Sequence, residues 1–186
     1  MRSITSKKNT NRTKQLILGL MLVVVMFISV LGYAFQGKED DSNKKINYNG
    51  FEFVDKNSFW FLEIGNSEFV FKHNPNEVEE IDSQLKYLSY YSGKPLYVFS
   101  EDNLEAELEI YRNLEKTALR IRPAYLEGGE GDENYPIKTC EDNFIIIKES
   151  NNTSITQNES CVFIEGPQEN LTKIADEFLF KILDIR

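Results

Sequence analysis

An α+β domain behind a membrane anchor is the fold class this sequence predicts, and three observations predict it. Leu16 to Phe35 carries no charge, residues 48–73 alternate apolar and polar with a period of two, and the last segment repeats apolar residues every three or four positions. A chain of 186 residues has room for one modest domain and an appendage. Its two cysteines and one histidine exclude a zinc array, a disulfide-dense miniprotein and any site that needs several imidazoles.

The mean hydropathy of -0.41 averages over two unlike pieces. At about 1.5 Å rise per residue, the run LILGLMLVVVMFISVLGYAF spans roughly 30 Å, the thickness of a bilayer's hydrocarbon core. Residues 15–35 are therefore expected to form a transmembrane helix of signal-anchor type. Arg2, Lys7, Lys8, Arg12 and Lys14 precede it without an acidic residue, so residues 1–14 read as a basic cytoplasmic tail. The remaining 16 Lys+Arg face all 30 acidic residues, a formal charge of -14 on the exported side. That balance argues against nucleic-acid partners and against adhesion to anionic lipid. The competing reading is a signal peptide cut after Ala34, following the small-x-small pair Gly32 and Ala34. An apolar run longer than an ordinary signal core, and a long basic segment before it, favour retention as a single-pass anchor; with no cysteine after the run, a lipoprotein is excluded. Both readings put the rest of the chain outside the cytoplasm.

Residues 36–45 read as a polar stalk and residues 46–186 as one extracytoplasmic α+β domain. Phe51 and Phe53, then Trp60, Leu62 and Ile64, then Phe69 and Phe71 define three strands separated by short polar turns, an antiparallel meander. Seven aromatics between Phe51 and Phe71 are expected to fill a core and cover the sheet. Asn74-Pro75 ends the sheet, and residues 76–92 are weakly helical or irregular. Residues 95–100, PLYVFS, suit a buried strand. Leu104, Leu108, Tyr111, Leu114, Ala118 and Ile121 predict a helix capped by Ser100 or Asp102 and running to about Arg122, where Pro123 stops it. Phe144–Ile147 and Cys161–Glu165 predict a strand pair joined by an exposed polar loop. Gly166-Pro167 then opens a final helix with an apolar stripe from Leu171 to Leu183. The whole predicts a mostly antiparallel sheet packed by two helices.

Cys140 and Cys161 both fall on the exported side, where a disulfide between them is expected. Sequons of the form N-x-[ST] begin at Asn151, Asn152, Asn158 and Asn170, and mark the domain as a candidate glycoprotein. Glu127, Glu130, Asp132 and Glu133 lie among glycines but lack the register of a calcium loop, so a solvated acidic loop is expected. His73 reads as a turn residue, and Glu79-Glu80 and Glu101-Asp102 as exposed turns or helix starts. No phosphate-binding glycine loop, nucleophile elbow or metallohydrolase motif is present, so no catalytic residue, cofactor or metal is expected. Tyr87, Tyr90, Tyr91 and Tyr97 cluster near one turn and form the candidate partner surface.

The short basic tail, the single anchor, the opening NGFEF, the PIKTC…IIIKES…CVFIEG segment and the closing DEFLFKIL together resemble small single-pass surface proteins of archaea. The resemblance carries no catalytic residue over and implies an extracytoplasmic, disulfide-containing domain. The expected function is a membrane-anchored interaction or scaffold domain, with an envelope protein or a second copy as partner. The alternatives are a small-ligand or glycan binding domain, marked by an aromatic-lined pocket, and an extracellular hydrolase, marked by two carboxyls converging in a cleft.

Overall fold

The computed structural model describes residues 10–36, 44–128 and 134–186, with side chains in the first helix described over 14–29. The chain divides into two units, Met1–Ser42 and Asn43–Arg186. Most of the expected basic tail and polar stalk, the side chains around the cleavage point at Ala34, and Glu130, Asp132 and Glu133 of the acidic loop lie outside the described residues.

The first unit is helix α1, Thr10–Gln36. Its side chains from Leu16 to Ile28 are exposed wherever they are large and apolar. Among the described residues, no helix is long and apolar enough to cross a membrane. The expected membrane span over 15–35 is thus not borne out.

The second unit opens with an antiparallel meander: β1 Lys45–Tyr48, β2 Phe51–Lys56, β3 Phe59–Ile64 and β4 Ser67–Phe71, in that spatial order. Three of these strands are the expected ones, and β1 is additional. It is joined to β2 by Asn49-Gly50, whose φ values of 48° and 87° are those of a primed hairpin turn, where glycine carries no Cβ penalty.

Next come β5 Pro95–Ser100, α2 Leu104–Leu114, β6 Arg120–Pro123, β7 Tyr125–Leu126, β8 Ile137–Lys138, β9 Phe144–Glu149, β10 Ser154–Asn158, β11 Cys161–Gly166 and α3 Leu171–Ile182. The second sheet has the order β10-β11-β9-β5-β6. Here β11, β9, β5 and β6 run parallel and only the β10–β11 hairpin is antiparallel. Two expectations need correction. The domain as a whole is not mostly antiparallel, because β9 and β11 pair side by side in the same direction while β10, inside the expected loop, lies at the outer edge. The helix expected to reach Arg122 stops at Leu114, and Ile121 returns to the core from parallel strand β6, opposite Leu96. Pro123 disfavours helical backbone at Arg122, which suits that strand.

The core lies between the two sheets and is filled by α2 and α3. Leu96, Val98, Ile145, Ile147, Val162 and Ile164 face it from the second sheet. Phe53, Trp60, Leu62, Phe69 and Phe71 face it from the meander, as the aromatic pattern predicts. The opposite face of the second sheet builds a smaller cluster, with Tyr97, Phe144, Ile146 and Cys161 under Ala124, Leu126 and Cys140. Strand β9 is therefore buried on both faces, which its uninterrupted apolar run serves.

Strand β4 is an edge, and an open edge invites foreign pairing. The side chain of Asn113 on α2 closes it: the Val70 N–H donates to Asn113 Oδ1 at 2.8 Å and Asn113 Nδ2 donates to the Val70 carbonyl at 2.8 Å. Asn113→Ala leaves both backbone groups unsatisfied, and a loss of about 1–3 kcal/mol is expected in equilibrium denaturant unfolding, with Asn113→Asp no better because it cannot donate.

The expected disulfide joins Cys140 to Cys161, with Cα atoms 4.9 Å apart. It ties the segment before β9 to the first residue of β11, next to the bond from the Ser160 N–H to the Cys140 carbonyl. Replacing both cysteines by serine should reduce unfolding free energy by roughly 3 kcal/mol, the loop-closure term for this ring, measured against the oxidised chain. An unchanged denaturation midpoint would show that the link contributes nothing.

Candidate functional site

The converging polar groups of this fold gather around α3, and they are not the acidic pairs that stand out in the sequence. Strand β4 ends at Phe71, and Lys72 and His73 lead to Asn74, whose side chain caps the 3-10 turn Pro75–Glu77. That turn points the His73 backbone and ring at Asp176 of α3. The His73 N–H donates to Asp176 Oδ2 at 3.0 Å, and His73 Nδ1 lies 2.9 Å from the same oxygen. Burial and the Lys173 charge hold the imidazole below its ordinary 6.5, so the ring is neutral at pH 7, and Nδ1 is the donor wherever Asp176 is ionised, since a carboxylate only accepts.

Glu109 reaches the same place from α2, one turn before Asn113. Asn103 starts that helix by accepting the Ala106 N–H at 2.8 Å. Glu109 is 2% exposed and Asp176 fully buried. Arg112 Nη1 donates to Glu109 Oε1 at 2.8 Å, and its guanidinium lies 4.7 Å from the centre of the Phe59 ring. Burial first, then the neighbouring Asp176 charge, push the Glu109 carboxyl up to about 8. Burial pushes Asp176 up as well, against the N–H groups that donate to it. Phe59, Lys72, Leu108, Glu109, Arg112 and Thr172 line a cavity of about 170 Å³ beside this cluster.

A third buried acid, Glu177, faces the other way. It accepts the Ile81 N–H at 3.3 Å and pairs with Arg186. Arg186 also donates to the Pro75 carbonyl, to the Val78 carbonyl at 3.2 Å and, through Nε, to the Tyr48 hydroxyl at 3.1 Å. Burial raises Glu177 while the Arg186 charge lowers it, so the guanidinium is what keeps a carboxylate tolerable there.

Of the four tyrosines of the candidate partner surface, Tyr90 and Tyr91 meet edge to face with ring centroids 5.7 Å apart, but the four do not share one exposed face. Tyr87 is 61% exposed, and Tyr90 is half-buried, its hydroxyl 2.8 Å from Ser160 Oγ and its ring flanked by Lys86 and Lys94. Hydrogen bonds to Ser160 and Lys86 draw the Tyr90 hydroxyl below its ordinary value. Tyr91 is buried against Phe178, and its hydroxyl is raised by desolvation. Tyr97 is buried on the far face of the second sheet, under Lys138. Tyr87 borders a shallow apolar groove of about 270 Å³ with Ile64, Phe69, Leu88, Ile182 and Leu183. Asn151, Asn152 and Asn158 are exposed and Asn170 is half-buried at the start of α3, but Ser160 of the Asn158 sequon and Thr172 of the Asn170 sequon are buried. Among the described residues, no group of three or more acidic, histidine or cysteine side chains is placed to hold a metal ion.

No local motif announces the Glu109–Asp176–His73 cluster, since its members come from three separate stretches of chain. The available signal was Phe180, an apolar residue opposite the main stripe of α3, which marks a helix buried all round. Arg186→Ala should cost about 3 kcal/mol by stranding Glu177, with Arg186→Lys falling in between because it keeps the charge but not the forked contacts; chemical denaturation of the three chains checks this. No family model, curated protein or solved structure matches this chain, so its function is read from geometry.

Proposed function

We propose that the second unit is an extracytoplasmic interaction or scaffold domain, attached to a cell membrane through the apolar α1 with the basic tail on the cytoplasmic side. The observation that carries this reading is Tyr87, left 61% exposed on the rim of an apolar groove while neighbouring tyrosines are buried or packed. Exposed aromatics of this kind act as anchors at protein interfaces. The Cys140–Cys161 disulfide supports an oxidising compartment. The exposed side chains of α1 support contact with lipid. Asn151 and Asn152 are the sequons open to glycosylation on such a surface. The glycan-binding alternative has less support, because the outer aromatics carry cations: Lys56 lies over Phe61, and Lys72 and Arg112 over Phe59.

A photo-crosslinking residue placed at position 87 of the full chain, in its native membrane, tests the proposal. A single defined adduct, either to one other protein or to a second copy, is expected at position 87 and not at the exposed control position Glu105. Equal patterns at both positions, or no adduct at either, would overturn it.

A further inference from the structure

Among the described residues, Glu109 and Asp176 are the buried acidic pair whose hydrogen bonding is incomplete if both are charged. Glu109 Oε2 and Asp176 Oδ1 are buried without a further partner, while Arg112 occupies Glu109 Oε1 and the His73 N–H and Nδ1 occupy Asp176 Oδ2. A carboxylate only accepts, so two vacant carboxylate oxygens in one buried site repel each other. One proton converts them into donor and acceptor. We propose that Glu109 and Asp176 share a single proton, carried by Glu109 and donated to Asp176, and that its loss on the alkaline side loosens α2 from α3 and from the β4 edge.

The surrounding charges are consistent with this arrangement. Around the pair stand Arg112 on α2, Lys72 and neutral His73 after β4, Glu77 in the 3-10 turn and Lys173 on α3. A singly protonated pair carries one negative charge, balanced by the Arg112 guanidinium. When the Glu109 O–H breaks, its proton passes to water or buffer base and the electron pair stays on the carboxylate, leaving two buried negative charges beside one guanidinium. Glu109 lies one helical turn from Asn113, so a shift of α2 that separates the carboxyls also pulls on the Asn113–Val70 clamp. The device therefore couples the proton to how well the meander's edge is covered.

The sign follows from linkage. The folded pair keeps one proton that both carboxyls would release in the unfolded chain, so the folded chain binds one proton more, and stability falls as pH rises from the ordinary carboxylate range toward about 8. Depression of His73 acts in the opposite direction, below 6.5.

The test uses the full-length chain in mild detergent, between about pH 6 and about pH 9. The wild-type melting midpoint should fall across this window, and the Val70 amide should lose hydrogen-exchange protection after correction for base catalysis. Glu109→Gln supplies a permanent donor toward Asp176 and keeps an acceptor for Arg112, so it should abolish both trends. Infrared difference spectra of the wild type at about pH 7 should contain a protonated-carboxyl band that disappears with alkali, a readout that stands even if the variant does not fold. A flat wild-type midpoint, no protonated carboxyl at neutral pH, or a Glu109→Gln chain with an unchanged slope would each overturn the proposal.

Discussion

Helix α3 lies between two sheets, and the rest of the domain is arranged around what that position demands. One side of the helix, with Leu171, Ile174, Ala175, Phe178, Leu179 and Ile182, is buried as the periodic pattern predicts. The other side is buried too, because Phe180 sits against Phe53 and Phe71 of the meander, with ring centroids 6.0 and 4.8 Å away. Fully burying a phenylalanine contributes about 1.5–3 kcal/mol, and this three-ring contact joins the helix layer to the first sheet. The consequence falls on Asp176 and Glu177. They flank Phe180 on the helix surface, cannot reach water, and must find every partner inside the protein.

Their partners come from the segments that frame the meander. His73 follows β4, Ile81 follows the 3-10 turn, and Arg186, itself held by the Tyr48 hydroxyl at the end of β1, returns beneath them after α3. Asn49 Nδ2 adds a bond to the Ile185 carbonyl at 3.0 Å. The first sheet is thus held to the helices twice over, by apolar contact through its aromatic face and by directed bonds at its ends. Apolar contact tolerates sliding, whereas the directed bonds do not.

How much of this was legible in the sequence depends on how local the determining physics is. The strands of the meander could be read because alternation and two-residue turns are local, and β1 escaped only because its short alternation sits beside the charged stalk. The final helix could be read from its stripe, but Asp176 and Glu177 looked like an ordinary solvent face, and Phe180 was the one residue that contradicted it. Helix α2 was overextended because Ala118 and Ile121 continue its spacing by coincidence, one in a turn and the other on strand β6. The parallel order of the second sheet was not legible, since it depends on β10 crossing to the outside of β11, which hydrophobic pattern does not encode. The disulfide could be reached through compartment. The tyrosine cluster was misread because Tyr97 and Tyr91 lie on opposite sides of strand β5 and what it packs against.

A helix buried on nearly every side is poorly fixed in rotation and axial position by apolar contact alone, because many settings bury similar area. The two adjacent carboxyls remove that freedom. Successive helical residues point about 100° apart, so Asp176 and Glu177 must meet two different partner sets at once. A slip of one residue would carry Glu177 toward the His73 site and leave Arg186 facing no acid, stranding buried charge at a cost of several kcal/mol. Only one setting of α3 satisfies both groups. The same requirement explains why the partners are spread over the meander's ends and the chain's last residue: a single cluster would fix the rotation of α3, but fixing its tilt and height between two sheets takes anchors on opposite sides.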